Sequence, residues 1–201
     1  LAQTALITRS GVPRVAFCRE PCAPEMGAVT FDAQAFRDKA LDYLAAQGCR
    51  RIAILGNFAS PQDEPLMTNS VRERGMVMRP HWFLTLPPER PECARKVAHL
   101  LLHADQRERP DGLVIADDNL ADYAQMGVVD SGIRVGEELH LLVHANFPSP
   151  APNLLQARRL GYDAPTILAA CLASLDRLRA GATPDVRVIE PVFDDELPSN
   201  E

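Results

Sequence analysis

Short apolar runs alternate along this chain with longer amphipathic segments, and this alternation constrains the fold more than any other feature. The runs RVAFC, RIAILGN, HWFLTL, GLVIA and LHLLVHAN are rich in branched or aromatic residues and are bounded by turn residues. Such runs are typical of strands that are buried on both faces. The intervening segments repeat their apolar residues at helical spacing. We therefore predict an α/β fold with a mostly parallel sheet.

Several element boundaries follow from local signals. Phe36 and Leu44 share one face of a predicted helix, and Gly48 provides its stop. Asn69 or Ser70 is predicted to begin a helix through VRERGMVM. The segment VRVIEPVF is predicted as one last strand, and DDELPSNE as a loose acidic tail.

Charge and cysteine content exclude several classes of protein. The chain has 201 residues and a net charge of −6, which argues against a nucleic-acid-binding surface, because such surfaces need clustered Lys and Arg. No apolar run approaches the roughly 18 residues of a membrane span, and no signal-peptide pattern is visible. The five scattered cysteines fit reduced thiols better than a disulfide framework. We expect a cytoplasmic protein with no membrane contact.

The common catalytic signatures are missing. The sequence contains no G-x-G-x-x-G, P-loop, G-x-S-x-G or H-E-x-x-H motif. His99 and His103 lie four residues apart on a predicted helix and could share a metal, but surface histidines are the favoured interpretation. We therefore expect no catalytic residue, no cofactor and no metal, with an α/β enzyme kept as an alternative.

The stretch GLVIADDNLADYAQMG places Asp117, Asp118 and Asn119 directly after a predicted strand. Open α/β sheets bind their ligands at the carboxyl ends of the strands. Asp and Asn are also preferred at helix N-caps. For one isolated turn of this kind, the interpretation as a helix cap alone is the favoured one.

Three stretches carry a longer, ordered pattern. The first is GVPRVAF followed by VTFDAQAFRDKALDYLAAQGCRRIAILGN, the second is TNSVRERGM, and the third is RPDGLVIADDNLADYAQMGVVDSGIRVGEELHLLVHAN. They match D-x-x-x-(G)-x-x-x-A-x-x-x-L-x-x-x-G-h-x-x-I, R-x-x-G-(F/Y), and a strand followed by N-D and, later, by g-(F/Y)-D. In this order and spacing, the chain resembles the effector-binding domain of the LacI/GalR family of transcriptional regulators.

The resemblance implies a two-lobed, periplasmic-binding-protein-like domain of type I, in which three crossovers join two α/β lobes around a small molecule. The implied first lobe comprises residues 1–30 and 162–182, the second comprises 31–161 and 183–193, and 194–201 form a tail. In the family, a helix-turn-helix segment and a β-α-β-α stretch precede the equivalent of GVPRVAF. The first lobe is therefore expected to be incomplete here.

The same resemblance implies two ligand contacts in the second lobe. Arg72 matches the family arginine that points at the ligand, where its planar fork gives directed donors; the alternative is a solvated arginine like Arg74. Asp117 stands where the family asparagine reaches the ligand, which leaves Asp118 as the helix cap. A carboxylate at Asp117 can still accept hydrogen bonds from vicinal hydroxyls.

Further implied contacts depart from the family pattern. The family aspartate falls on Ala145, so that Asn146 replaces it, or His144 turns inward, or this strand end no longer touches ligand. Arg19 ends the strand RVAFC and faces the ligand from the first lobe, or else lies at the surface near Glu20. The implied ligand is a small polar molecule, sugar-like or nucleoside-like.

The function implied by the resemblance is that of a ligand sensor in a bacterial transcription regulator, which is not an enzyme. Such a sensor acts only if the ligand binds one arrangement of the protein better than another. The resemblance also implies a homodimer, and DNA contact only through a segment absent from this chain. The alternative of similar fold is a periplasmic solute-binding protein.

Overall fold

The computed structural model describes residues 11–18, 25–87 and 89–197. These residues divide into two compact units. One comprises residues up to 33 together with Tyr162–Pro191, and the other comprises Gln34–Gly161 together with residues from 192 onward. The chain therefore passes between the units at 33–34, 161–162 and 191–192.

The described residues form regular elements throughout both units. The strands are β1 (Val15–Phe17), β2 (Gly27–Phe31), β3 (Ile52–Gly56), β4 (Phe83–Thr85), β5 (Gly112–Ile115), β6 (His140–Phe147), β7 (Arg158–Asp163), β8 (Val186–Ile189) and β9 (Val192–Phe193). The α-helices are α1 (Ala33–Ala46), α2 (Asp63–Glu73), α3 (Cys93–Leu102), α4 (Asp118–Ser131) and α5 (Ala164–Arg179). Short 3-10 helices cover Pro80–Trp82 and Asp194–Glu196.

The first unit is a three-stranded parallel sheet in the order β1-β2-β8 with α5 packed against β1 and β2. Asp163 caps α5, since its carboxylate accepts hydrogen bonds from the Thr166 backbone N at 3.0 Å and Oγ1 at 2.7 Å. Pro165 stands in the first turn of the helix, where its missing N–H costs no hydrogen bond.

The second unit is built on a six-stranded sheet in the order β4-β3-β5-β6-β7-β9. Strand β3 pairs in parallel with β4 and β5, and β5 pairs in parallel with β6, whereas β7 and β9 are antiparallel. Every residue of β3 and β5 is buried, as expected for strands covered on both faces. The predicted α/β fold with a mostly parallel sheet is confirmed.

Alternation along the central strands divides the core of this unit between the two faces of its sheet. Leu55 and Ile115 belong to a cluster with residues of α3 and α4. Ile54 and Val114 belong to a second cluster, which Leu41 of α1 also joins. The helices thus cover opposite faces, because successive strand residues point to opposite sides.

The helix predicted to begin at Asn69 or Ser70 was wrongly placed. Helix α2 begins at Asp63 and ends at Glu73. The Ser70 hydroxyl donates to the Leu66 carbonyl at 3.0 Å and therefore lies inside the helix rather than at its cap. Gly75 adopts a φ of +69° directly after the helix, a conformation that stops helices.

The last predicted strand is two strands in different sheets. Strand β8 pairs with β2 in the first unit, whereas β9 pairs with β7 in the second. Residues 183–191, which the sequence assigned to the second lobe, therefore lie in the first unit. The chain passes to the second unit after Pro191, not near Thr183.

The start of the predicted tail is held against the second unit. The Arg158 guanidinium donates to the Asp194 carboxylate at 3.2 Å and to the Asp195 carboxylate at 2.6 Å. Lys39 donates to Glu196 at 3.4 Å. The first residues of DDELPSNE are thus part of the fold rather than a loose segment.

Candidate ligand-binding site

The helix that follows β5 is capped by Asp117, not by Asp118. Asp117 has an extended backbone, and its carboxylate Oδ1 accepts hydrogen bonds from the backbone N and side-chain Nδ2 of Asn119, at 3.0 and 2.9 Å. The expectation that Asp118 is the cap is therefore wrong. Among the described residues, no group donates to the second oxygen of Asp117, Oδ2.

Asp118 turns its carboxylate toward β6 instead. Its Oδ2 accepts a hydrogen bond from Asn146 Nδ2 at 2.6 Å, and its Oδ1 lies 3.5 Å from His144 Nδ1. The interaction with His144 lowers the pKa of Asp118, helped by the Asn146 amide and opposed by burial, which would raise it. The carboxylate is thus held in its charged form at the carboxyl end of the sheet.

The alternation of β6 explains why these side chains meet. His144 and Asn146 lie two residues apart and point to one side of the strand, whereas Ala145 points to the other side and is buried. The His144 ring is edge-on to Phe36 of α1, with ring centroids 5.3 Å apart. Phe36 occupies the position where the family pattern has Gly, so the bulkier side chain provides a wall for the histidine.

Arg72 is not part of this group. It is exposed, and its Nη2 donates to Asn69 Oδ1 at 2.8 Å on its own helix. Arg72 lies in the last turn of α2. Five residues later in the chain, Val77 pairs with Arg51, the residue that precedes the start of β3. Arg72 therefore lies near the amino ends of the strands, whereas Asp118 and its partners lie at the carboxyl ends. Arg19, the remaining predicted contact, lies outside the described residues.

Arg37 was missed by sequence reasoning. Its side chain is 19% exposed, and its Nε lies 3.8 Å from Asp38 Oδ1. This buried Nε has no hydrogen-bond partner among the described residues. Arg37 lies four and seven residues before Leu41 and Leu44, which are buried on the inner face of α1. The sequence signal that could have revealed it is a charged residue in line with the apolar residues of a helix, one turn before the first of them.

The described part of the chain also bears on metal binding and membrane insertion. No group of three or more His, Cys, Asp or Glu side chains there is arranged to hold a metal ion. The rings of His99 and His103 lie next to each other, with centroids 5.3 Å apart. None of the helices within residues 11–18, 25–87 and 89–197 is long and apolar enough to cross a membrane.

Comparison with protein families gives a match that covers most of the chain. The family described as "Periplasmic binding protein-like domain" matches residues 41–190. No curated protein matches the sequence significantly.

Solved structures with the same fold include several LacI-family transcriptional regulators. One from Arthrobacter, in complex with lactose, superposes with a TM-score of 0.75 at 21% identity over 90% of this chain and 69% of the other. One from Chloroflexus aggregans gives 0.75 at 21% over 90% and 66%, and one from Mycobacterium smegmatis gives 0.69 at 18% over 91% and 69%. The chain thus has the fold of these regulators and spans about two thirds of their length.

Proposed function

Because the chain belongs to the family of periplasmic-binding-protein-like domains, we propose that it is the effector-binding domain of a bacterial LacI-type transcription regulator. It would bind a small polar molecule at the carboxyl end of the second unit's sheet. The observation that carries this proposal is the meeting of Asp118, His144 and Asn146 at that edge, beside Asp117. The fold shared with LacI-family regulators supports it, and one of those, from Arthrobacter, is a complex with lactose.

The polar groups at this edge suit a ligand that carries several hydroxyls. Asp117 Oδ2 and the Asn146 carbonyl oxygen are acceptors, and the His144 ring can donate or accept a hydrogen bond. Asp118 is already engaged by its two neighbours, so its role is to orient them. The ligand would therefore be sugar-like or nucleoside-like, fixed by a few directed hydrogen bonds.

The proposed mode of action is regulatory rather than catalytic. The ligand would favour one arrangement of the protein because it binds that arrangement more tightly, and this shift would be passed to a partner copy and to DNA. DNA contact would be made by a segment outside this chain, since the chain itself has a net charge of −6. The domain would act in the cytoplasm as a homodimer.

A thermal-shift screen tests the binding site. Lactose, galactose, ribose, gluconate and adenosine would be added to the wild type, to Asn146→Ala and to the control Arg72→Ala. A ligand at a hundredfold excess over its Kd stabilises the native state by roughly 2.7 kcal/mol. We expect at least one compound to raise Tm in the wild type and in Arg72→Ala, and less in Asn146→Ala. Equal shifts in all three proteins, or no shift with any compound, would contradict the proposal.

A further inference from the structure

Two arginines of the second unit are equally buried but bonded very differently. The side chains of Arg37 and Arg74 are 19% and 18% exposed. Arg74 donates to Asp42 at 2.6 Å, to Asp38 at 3.1 Å and to the Ser70 carbonyl at 3.1 Å. Arg37 approaches only Asp38, at 3.8 Å, and its buried Nε has no partner among the described residues.

This difference makes Arg37 costly to the fold. A guanidinium stays charged in proteins and carries five N–H donors. Asp38 does not satisfy the buried Nε, because it is too far for a hydrogen bond and already accepts one from Arg74. A buried donor left without a partner destabilises the native state. Arg74 is therefore held by several hydrogen bonds, whereas the buried Nε of Arg37 has none among the described residues.

Arg37 lies near the proposed binding site. Helix α1 ends at Ala46, and the chain then enters β3 at Ile52, so the start of the helix lies toward the carboxyl end of that strand. The neighbouring Phe36 is in ring contact with His144. Long side chains on a helix lean toward its N-terminus. Arg37 follows Phe36 directly and so lies in the first half of α1, the half nearer the edge that carries Asp118 and His144.

We propose that Arg37 binds an oxyanion of the ligand, so that the effector is a sugar acid or a sugar phosphate rather than a neutral sugar. This inference rests on the proposed function. Carboxylate and phosphate groups share the geometry that a guanidinium recognises, with two parallel N–H donors. The carboxylates of Asp117 and Asp118 would disfavour an anion beside them, but Asp118 is held by His144 and Asn146 and would accompany the hydroxyl end of the ligand.

The first experiment needs no ligand and compares the two arginines directly. Arg37→Met and Arg74→Met each remove a guanidinium of equal exposure and keep an apolar side chain. We expect the Tm of Arg37→Met to equal or exceed that of the wild type, because a buried N–H donor without a hydrogen-bond partner is lost. Arg74→Met should lower Tm by several degrees. An equal loss in both variants would show that Arg37 is structurally bonded and would overturn the proposal.

The second experiment uses pairs of compounds that differ in an oxyanion: galactose with galacturonate, glucose with gluconate, and ribose with ribose 5-phosphate. Calorimetric titration would measure Kd for the wild type, Arg37→Met, Arg37→Lys and the control Arg72→Met. We expect an acid or phosphate to bind the wild type and Arg72→Met at least tenfold more tightly than its neutral partner. This preference should vanish in Arg37→Met and return in part in Arg37→Lys.

The outcomes separate this inference from the proposed function. A preference for galacturonate or gluconate identifies a carboxylate, and a preference for ribose 5-phosphate identifies a phosphate. If a neutral sugar binds as tightly as its acid and equally well to Arg37→Met, the role of Arg37 is overturned while the proposed function stands. If no compound of the three pairs binds the wild type, both are overturned.

Discussion

Asn146 donates a 2.6 Å hydrogen bond to the carboxylate of Asp118, a residue 28 positions earlier in the chain. The bond joins the first residue of α4 to the next-to-last residue of β6. The donor is the side-chain amide of Asn146, an exposed residue, and the bond holds the charged carboxylate of Asp118 at the edge of the sheet. The candidate site therefore depends on two strands that are neighbours in the sheet, β5 and β6.

The Asp118 carboxylate should make stability depend on acid. Its pKa is lowered in the fold, chiefly by His144, so its stabilising contribution is present above the unfolded-state pKa of about 3.9. That contribution is lost as the pH falls through the lower, folded-state pKa. Urea unfolding from pH 7 to pH 3 should therefore show a larger loss in the wild type than in Asp118→Asn. If the unfolding free energies of the two proteins fell equally with pH, this prediction would be contradicted.

A close approach between α3 and α4 should make Gly127 sensitive to substitution. A Cβ at Gly127 would overlap the Arg95 carbonyl oxygen and lie 2.9 Å from the Ala98 Cβ. Gly127→Ala would normally favour a helix, but the overlap should destabilise the protein by about 1–3 kcal/mol. Chemical unfolding measures this, with exposed Val129→Ala on the same helix as the control. A stabilised Gly127→Ala would show that the helices separate at little cost.

Arg158 should contribute more to stability than an ordinary surface arginine. Besides its bonds to Asp194 and Asp195, its guanidinium lies over the Phe193 ring, 4.3 Å from the centroid. We expect Arg158→Ala to cost about 1–2 kcal/mol of unfolding free energy. The control Arg134→Ala removes an exposed ion-paired arginine and should change it by less than about 1 kcal/mol. Equal effects would mean that residues 194–196 are held only weakly.

Cys49 should resist modification in the native protein. It is buried, its thiol donates to the Asp111 carbonyl at 3.4 Å, and burial raises its pKa to about 11. Because the thiolate is the reactive form, alkylation at pH 8 should be slow until the protein unfolds. Mass spectrometry after iodoacetamide treatment would compare Cys49 with the partly exposed Cys93. Equal rates at the two thiols would refute the protection.

Sequence patterns predicted the buried strands well, because full burial leaves a continuous apolar run such as GLVIA. The split of VRVIEPVF could not be predicted, because both halves are apolar and only pairing with β2 or β7 assigns each to its sheet. The start of α2 was misplaced because Asn69 and Ser70 favour caps, although here Ser70 bonds inside the helix.

The candidate site was predicted only in part, and for a related reason. Asp117 and Asp118 have the same intrinsic preference for a cap, and the distant partner Asn146 decides which of them turns away. Arg37 was missed because a lack of hydrogen-bond partners is a property of three-dimensional surroundings. Local sequence therefore placed Asp117 and Asp118 at the end of β5 but did not predict which side chains they contact.

The most direct test of the central claim is an NMR titration that follows the histidine ring protons while sugars, sugar acids and sugar phosphates are added. His144 would be assigned with His144→Gln, and His99 and His103 on α3 serve as internal controls in the same sample. We predict that a binding compound shifts the His144 signals and leaves those of His99 and His103 unchanged. A compound that binds without moving His144, or that shifts all three histidines alike, would contradict a ligand site at the carboxyl end of β6.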